Sequence, residues 1–241
     1  MAFQTLPVVI AGAIALVVGL TGCTAPETPK PPTPTATALP TLAPSGDGIL
    51  RVGTMFPMTG DAAAEGQAQV AGTEVAAREI TLEGGVLGKP PELIHRNSAG
   101  DLDVALANLV ARGVDVVLWD PSEKVPKAAA AALKAADIAV LPLRDFVQDG
   151  TLTAPDNPFA RRLRSADPGL TGFVGGAEAY DGVVTVALAA TVAGDDGGPS
   201  VASRIDVVAS GKTACTSWGE CLAALSDKQE IRFVGATGER S

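Results

Sequence analysis

The stretch ILRVGTMFPMTGD, residues 49–61, runs through mostly apolar residues to Phe56 and then reaches Pro57, Gly60 and Asp61. A short apolar run closed by turn residues reads as a buried strand, here 49–56, followed by a loop. The next segment decides what the strand belongs to. QAQVAGTEVAAREITL (67–82) places Val70, Val75, Ala76 and Ile80 on one helical face, and EGGVLGKP ends that helix with three glycines.

The same alternation then repeats. PELIHR (91–96) reads as a second strand, and DLDVALANLVAR as a helix with Asp101 as its N-cap. VDVVLW (114–119) has no polar residue after Asp115, as expected of a central strand covered on both faces. SEKVPKAAAAALKAAD predicts a helix capped by Ser122, with Glu123 favourable in its first turn, and IAVLPL (138–143) a fourth strand. Four strand–helix alternations predict an α/β fold with a doubly wound parallel sheet and right-handed crossovers. Ligands of such sheets sit beyond the carboxyl ends of the strands, which directs attention to loops 57–66, 97–101, 119–123 and 144–154. Residues 144–170 read as a surface connection. GGAEAYDGVVTVALAATVAG, PSVASRIDVVAS and TSWGECLAALSD then predict three helices, and EIRFVGATG a closing strand and turn.

Upstream of the sheet, residues 8–20 are almost wholly apolar, a length that suits a signal-peptide core and is too short to span a bilayer. Residues 24–47 hold seven prolines, six threonines and no aromatic residue, a composition that cannot form a packed core. Between them, Leu20-Thr21-Gly22-Cys23 resembles the bacterial lipobox. That resemblance implies cleavage after residue 22, acylation of Cys23 and attachment to the outer face of a cell membrane, with 23–47 as an extended tether. No Lys or Arg precedes Cys23, which departs from the positively charged start of most signal peptides.

Composition narrows the function further. Removing residues 1–22 takes away no charged side chain, so 18 basic against 27 acidic residues leave −9. An acidic chain with one histidine is poorly suited to nucleic acid or to anionic lipid. With Cys23 assigned to lipid, Cys215 and Cys221 remain, and a pair six residues apart in an exported chain suggests a local disulfide, the alternative being two reduced thiols. They do not form a zinc site, because no second ligand pair accompanies them.

LRVGTMFPMTGDAAAEGQAQVAGTEVAAREI and GGVLGKPPELIHRNSAGD resemble the first lobe of branched-chain amino-acid (leucine/isoleucine/valine) ABC transporter binding proteins, of the type I periplasmic binding protein family. AEAYDGVVTVALAA resembles the helix that returns to that lobe, and CTSWGECLAAL with IRFVGATG resembles the tail of actinobacterial members. The resemblance implies a clamp that captures a small amino-acid-like solute for an ABC permease, without enzymatic activity or cofactor. It also implies that 48–241 is a single lobe, since only 35 residues separate Leu143 from Ala179 where relatives carry a second lobe.

On this resemblance the solute contacts fall at Thr59 and Gly60 after the first strand, at Asp120-Pro121-Ser122 after the third, and at Arg144-Asp145-Phe146 after the fourth. Ser122 at a helix start could receive a carboxylate, whereas Asp120 would repel it. Glu65 stands where a relative can use an aromatic cover. Arg144 could reach a carboxylate, although Asp145 beside it competes. Tyr180 is a further candidate, in a Tyr180-Asp181 pair that otherwise reads as packing near the hinge. The plain alternative for all these residues is caps, turns and solvated surface.

Other chemistry fits poorly. SGKT (210–213) lacks the leading glycine of a phosphate loop, since that position is Asp206. His95 reads as a polar strand-end residue, GDDGG (194–198) as a turn, and no nucleophile elbow or metalloprotease helix occurs. Two functions remain. The first is a lipid-anchored solute-binding component of an importer; the second is a cell-envelope interaction lipoprotein that keeps the lobe and binds a partner, or a second copy as a homodimer, through the exposed face.

Overall fold

The computed structural model describes residues 43–146 and 150–240. The signal segment, Cys23 and most of the tether lie outside the described residues, as do residues 147–149. Four strands, β1 (Arg51–Phe56), β2 (Glu92–Asn97), β3 (Val116–Trp119) and β4 (Ala139–Pro142), form one parallel sheet in the order β2-β1-β3-β4. The crossovers are α1 (Ala63–Leu82), α2 (Leu102–Ala111) and α3 (Lys127–Ala135). Two single 3-10 turns, Leu143–Asp145 and Gly150–Thr153, lead to α4 (Pro158–Ala166) and the long α5 (Gly176–Ala193). The chain then makes two short helices, α6 (Gly198–Ala202) and α7 (Val207–Ser210), followed by β5 (Thr213–Cys215), α8 (Trp218–Ser226), β6 (Ile231–Gly235) and β7 (Gly238–Glu239). β5 and β6 pair in parallel and β6 and β7 antiparallel, as a second small sheet.

The period-two alternation of strand side chains splits the core between the two faces of the main sheet. Val52, Phe56, Val116, Leu118 and Leu141 pack with α1 and α5, while Met55, Val117 and Trp119 pack with Leu106, Leu109 and Leu133. Every residue from Gly176 to Ala190 is buried, as expected of a helix that is apolar all round. Small residues allow this. A Cβ on Gly72 would stand 2.0 Å from the Gly176 carbonyl oxygen, so only glycine lets α1 and α5 approach so closely.

Helix ends follow their capping residues. Asp101 accepts the Val104 N–H at 3.0 Å and Asn157 accepts the Phe159 N–H at 2.7 Å ahead of Pro158. Ser217 caps α8 by accepting the Glu220 N–H at 3.3 Å, and the Glu220 carboxylate reaches back to accept the Thr216 N–H at 2.8 Å. The sulfurs of Cys215 and Cys221 are bonded, 2.01 Å apart, tying β5 to α8.

Several expectations need correction. α1 begins at Ala63, a turn earlier than Gln67. The helix after β3 begins at Lys127 with Pro126 extended before it, so Ser122 caps no helix and Glu123 lies outside its first turn. The proline explains this, because it lacks an N–H and biases the preceding residue away from helical backbone. Residues 144–170 are not only a surface connection, since α4 buries Phe159, Ala160 and Leu163. PSVASRIDVVAS divides into α6 and α7, and β5 arises from the SGKT segment, whose Gly211 N–H donates to Ile231 O at 2.9 Å.

Candidate functional site

All four strands point their carboxyl ends at one rim, where the loops after β1, β2, β3 and β4 gather. Asn97, the last residue of β2, organises the first of them. Its Oδ1 accepts the Met58 N–H at 2.9 Å and the Ala99 N–H at 3.1 Å, and its Nδ2 donates to Thr59 Oγ1 at 2.8 Å. Gly60 follows with φ 79°, a left-handed turn residue with open space beside it, and its carbonyl accepts the Ala63 N–H that opens α1. Thr59 and Gly60 thus occupy the rim, with the Thr59 hydroxyl oriented by Asn97. Sequence reasoning missed Asn97, although an Asn at a strand end beside a turn is a signal for such stitching.

After β3 the arrangement differs from the expectation. Asp120 is fully buried, and its Oδ2 accepts from Gln69 Nε2 at 2.7 Å. Its Oδ1 accepts the Ser122 N–H at 2.7 Å and also the Ser122 hydroxyl. Both Ser122 donors are therefore spent on Asp120, in an Asx turn, and are not aimed at a solute carboxylate. Gln69, a second residue missed in the sequence, lies fully buried on α1, and its Oε1 has no hydrogen-bond partner.

After β4, Arg144 is exposed and its Nη2 donates to Pro121 O at 3.1 Å. Asp145 does not pair with it; the Asp145 carboxylate lies 3.7 Å from Arg240 near the chain end. Phe146 is buried in the main core. The three residues brace the rim with contacts inside the chain.

Carboxylates give the rim its electrostatic character. Burial pushes the Glu65 carboxyl up from its ordinary range, and nearby Asp120 adds to this. Glu178 in the first turn of α5 is likewise raised by burial foremost, with Asp181 and Glu65 contributing. Among the described residues, no group of three His, Cys, Asp or Glu side chains could hold a metal ion.

The structure does not bring Tyr180 to this rim. Its hydroxyl donates to Glu79 Oε2 at 2.8 Å, and Glu79 lies fourteen residues along α1 from Glu65, about 20 Å at the helical rise of ~1.5 Å per residue. There Tyr180 meets Phe159 edge-on at 5.5 Å, and the Arg162 guanidinium lies over both rings. Burial, with Arg162 opposing it, pushes the phenol up to about 12. Its neighbour Asp181 turns the other way and is bonded to the loop between β6 and β7.

Against known proteins, a profile described as periplasmic binding protein matches residues 49–202, well over half of the chain. Among solved structures, the branched-chain amino acid transporter substrate-binding protein LivJ of Streptococcus pneumoniae, in complex with isoleucine, is 26% identical. That alignment covers 42% of this chain and 30% of LivJ, with a TM-score of 0.34. A substrate-binding periplasmic protein of Ralstonia solanacearum is 20% identical over 38% of this chain and 28% of that one, TM-score 0.31. A fatty acid ABC transporter substrate-binding protein of Thermomonospora curvata is 12% identical over 83% of this chain and 47% of that one, TM-score 0.32. The chain thus spans less than half the length of these proteins. No curated protein matches the sequence. Among the described residues, no helix is long and apolar enough to cross a membrane. From the extent of the profile match, which takes in all four strands of the sheet and all of α5, the chain belongs to the periplasmic binding protein family.

Proposed function

We propose that this chain is the solute-capturing component of an ABC importer, held at the outer face of the cell membrane through a lipid on Cys23. Its solute is a small amino-acid-like molecule. The observation that carries this reading is the family match over residues 49–202, which includes the strand-end rim. The solute's ammonium end faces this rim, because the half-buried Glu65 carboxyl stands there, the buried Asp120 adds negative charge behind it, and the Ser122 donors are already taken. Its carboxylate is received elsewhere, on a second lobe or a partner.

A second reading is favoured by the same engagement of Asp120, Ser122, Arg144 and Asp145 within the chain. With these groups occupied, the rim serves as a docking face, for an envelope partner or for a second copy in a homodimer. Calorimetry of the full chain against amino acids, their amides and their decarboxylated amines separates the two. Saturable heat with amines and amino acids, lost in Glu65→Gln, supports capture. Absence of heat from a folded, dimeric sample supports docking. Incorporation of a labelled fatty acid that is lost in Cys23→Ala tests the anchor.

A further inference from the structure

Between α1, the edge strand β2 and the end of α4 lies a half-open cavity of about 320 Å³ that the strand-end reading does not use. Its floor is apolar, formed by Met58, Val70 and Ala71. Its polar side chains come from three elements: Gln67 and Glu74 on α1, His95 on β2 and Asp167 just past α4. No Lys or Arg is among the described residues that line it. A concave apolar site of this volume with a few convergent polar groups is the usual form of a small-molecule pocket.

The histidine is held in place. Thr54, fully buried in β1, shares a hydrogen bond of 2.9 Å with His95 Nδ1, and His95 Nε2 lies 3.4 Å from Glu74 Oε1. In the tautomer that serves both neighbours, Nδ1 accepts the threonine proton and Nε2–H points to the carboxylate. Burial holds the imidazole below the usual histidine range, with Glu74 pulling the other way, so near neutral pH the ring brings no positive charge. The cavity therefore presents two carboxylates and a neutral ring over an aliphatic floor. Glu74 is half exposed, so it can turn to an incoming charge without first breaking a buried bond.

We infer that this flank cavity binds a small primary amine with a short aliphatic body, its ammonium paired with Glu74 and Asp167 and its chain lying on Val70, Ala71 and Met58. The cavity meets the rim loop at Met58 and Gly66, but its charged groups, Glu74 and Asp167, are not rim residues, and the inference does not require solute capture at the rim.

The test titrates n-butylamine, n-butanol and butyrate into the ¹⁵N-labelled full chain and follows amide shifts. The expected result is saturable shifts at Val70, Ala71, His95 and Asp167 with butylamine, weaker ones with butanol and none with butyrate. An ion pair at this exposure contributes up to about fivefold in affinity. Glu74→Gln should therefore weaken butylamine by about two- to fivefold, and Glu74→Gln with Asp167→Asn should reduce it to the level of butanol. Both replacements keep side-chain size, and the amide oxygen that Asp167→Asn leaves in place can still accept the Gly169 N–H, which Asp167 receives at 2.8 Å. Equal binding of butyrate, unchanged amine affinity in the double variant, or no saturable shift at these residues would overturn the inference.

Discussion

The carboxylate of Asp181 accepts both the backbone N–H and the hydroxyl of Thr237, at 2.8 and 2.7 Å, and the Ala236 N–H at 2.8 Å as well. One buried side chain on α5 thereby holds the turn between β6 and β7 against the main core. Removing it strands three donors, and a buried group left unpaired costs about 1–3 kcal/mol. Asp181→Ala is expected to lose about 3 kcal/mol in urea denaturation, whereas Thr237→Val loses about 1 kcal/mol. Thr237→Ser keeps both bonds and should stay close to the parent.

The same carboxylate sets a pH dependence. Although three hydrogen bonds favour its ionised form, burial outweighs them and pushes Asp181 up to about 6. Asp115 is pushed up to about 7, again by burial first. Unfolded, such groups ionise near 3.8. The folded chain thus holds more protons between about pH 4 and 7, and stability falls as pH rises through that window. A shift of this size on Asp181 corresponds to about 3 kcal/mol. His95, held low, opposes it, since its contribution is lost as pH falls below 6.5. The Tm is expected to be higher at pH 5 than at pH 7.5, with a flatter profile in Asp181→Asn. A parent Tm that rises steadily over that range would contradict the dominance of the buried carboxylates.

The Cys215–Cys221 bond closes a loop across a separation of six residues. Chain-entropy estimates for so short a loop give roughly 2 kcal/mol. Reduction, or Cys215→Ser with Cys221→Ser, should lower stability by about that amount without unfolding the main sheet. Urea unfolding with and without reductant measures the difference.

At the lower end of α1, Tyr180→Phe removes one hydrogen bond to Glu79 and is expected to cost about 1 kcal/mol. Phe159→Ala opens a cavity beside the same ring and should cost about 3 kcal/mol or more. Neither change should alter solute affinity at the rim. A large loss of affinity in Tyr180→Phe would return that residue to the site.

The four-stranded parallel sheet was legible because each strand is an apolar run closed by turn residues and each crossover carries a helical pattern. The Asp101 cap was legible for the same local reason. Ser122 was misread because a serine before an apolar helix looks like a cap, while Pro126 lies between it and the helix proper. α4 was hidden by its charge: PFARRLRSA buries only Phe159, Ala160 and Leu163, and its arginines read as a solvated connection. At the rim, the loop that holds Thr59 and Gly60 was legible as the turn closing the first strand. Gln69 and the Arg240 partner of Asp145 could not be placed, because those bonds join residues remote in sequence and depend on how the elements pack, and of Asn97 only the local bond to Ala99 was open to sequence reading.

The GDDGG segment, which read as a turn, fixes where the folded body receives the chain that precedes it. Asp195 accepts the N–H groups of Ser45 and Gly46, and Asp196 that of Gly48, close to the amino end of β1 and opposite the rim. Any pull arriving along the preceding segment is first resisted by these two carboxylates and then enters β1, an interior strand paired on both sides. A load applied there would be borne in shear across two parallel ladders together instead of peeling them open one bond at a time.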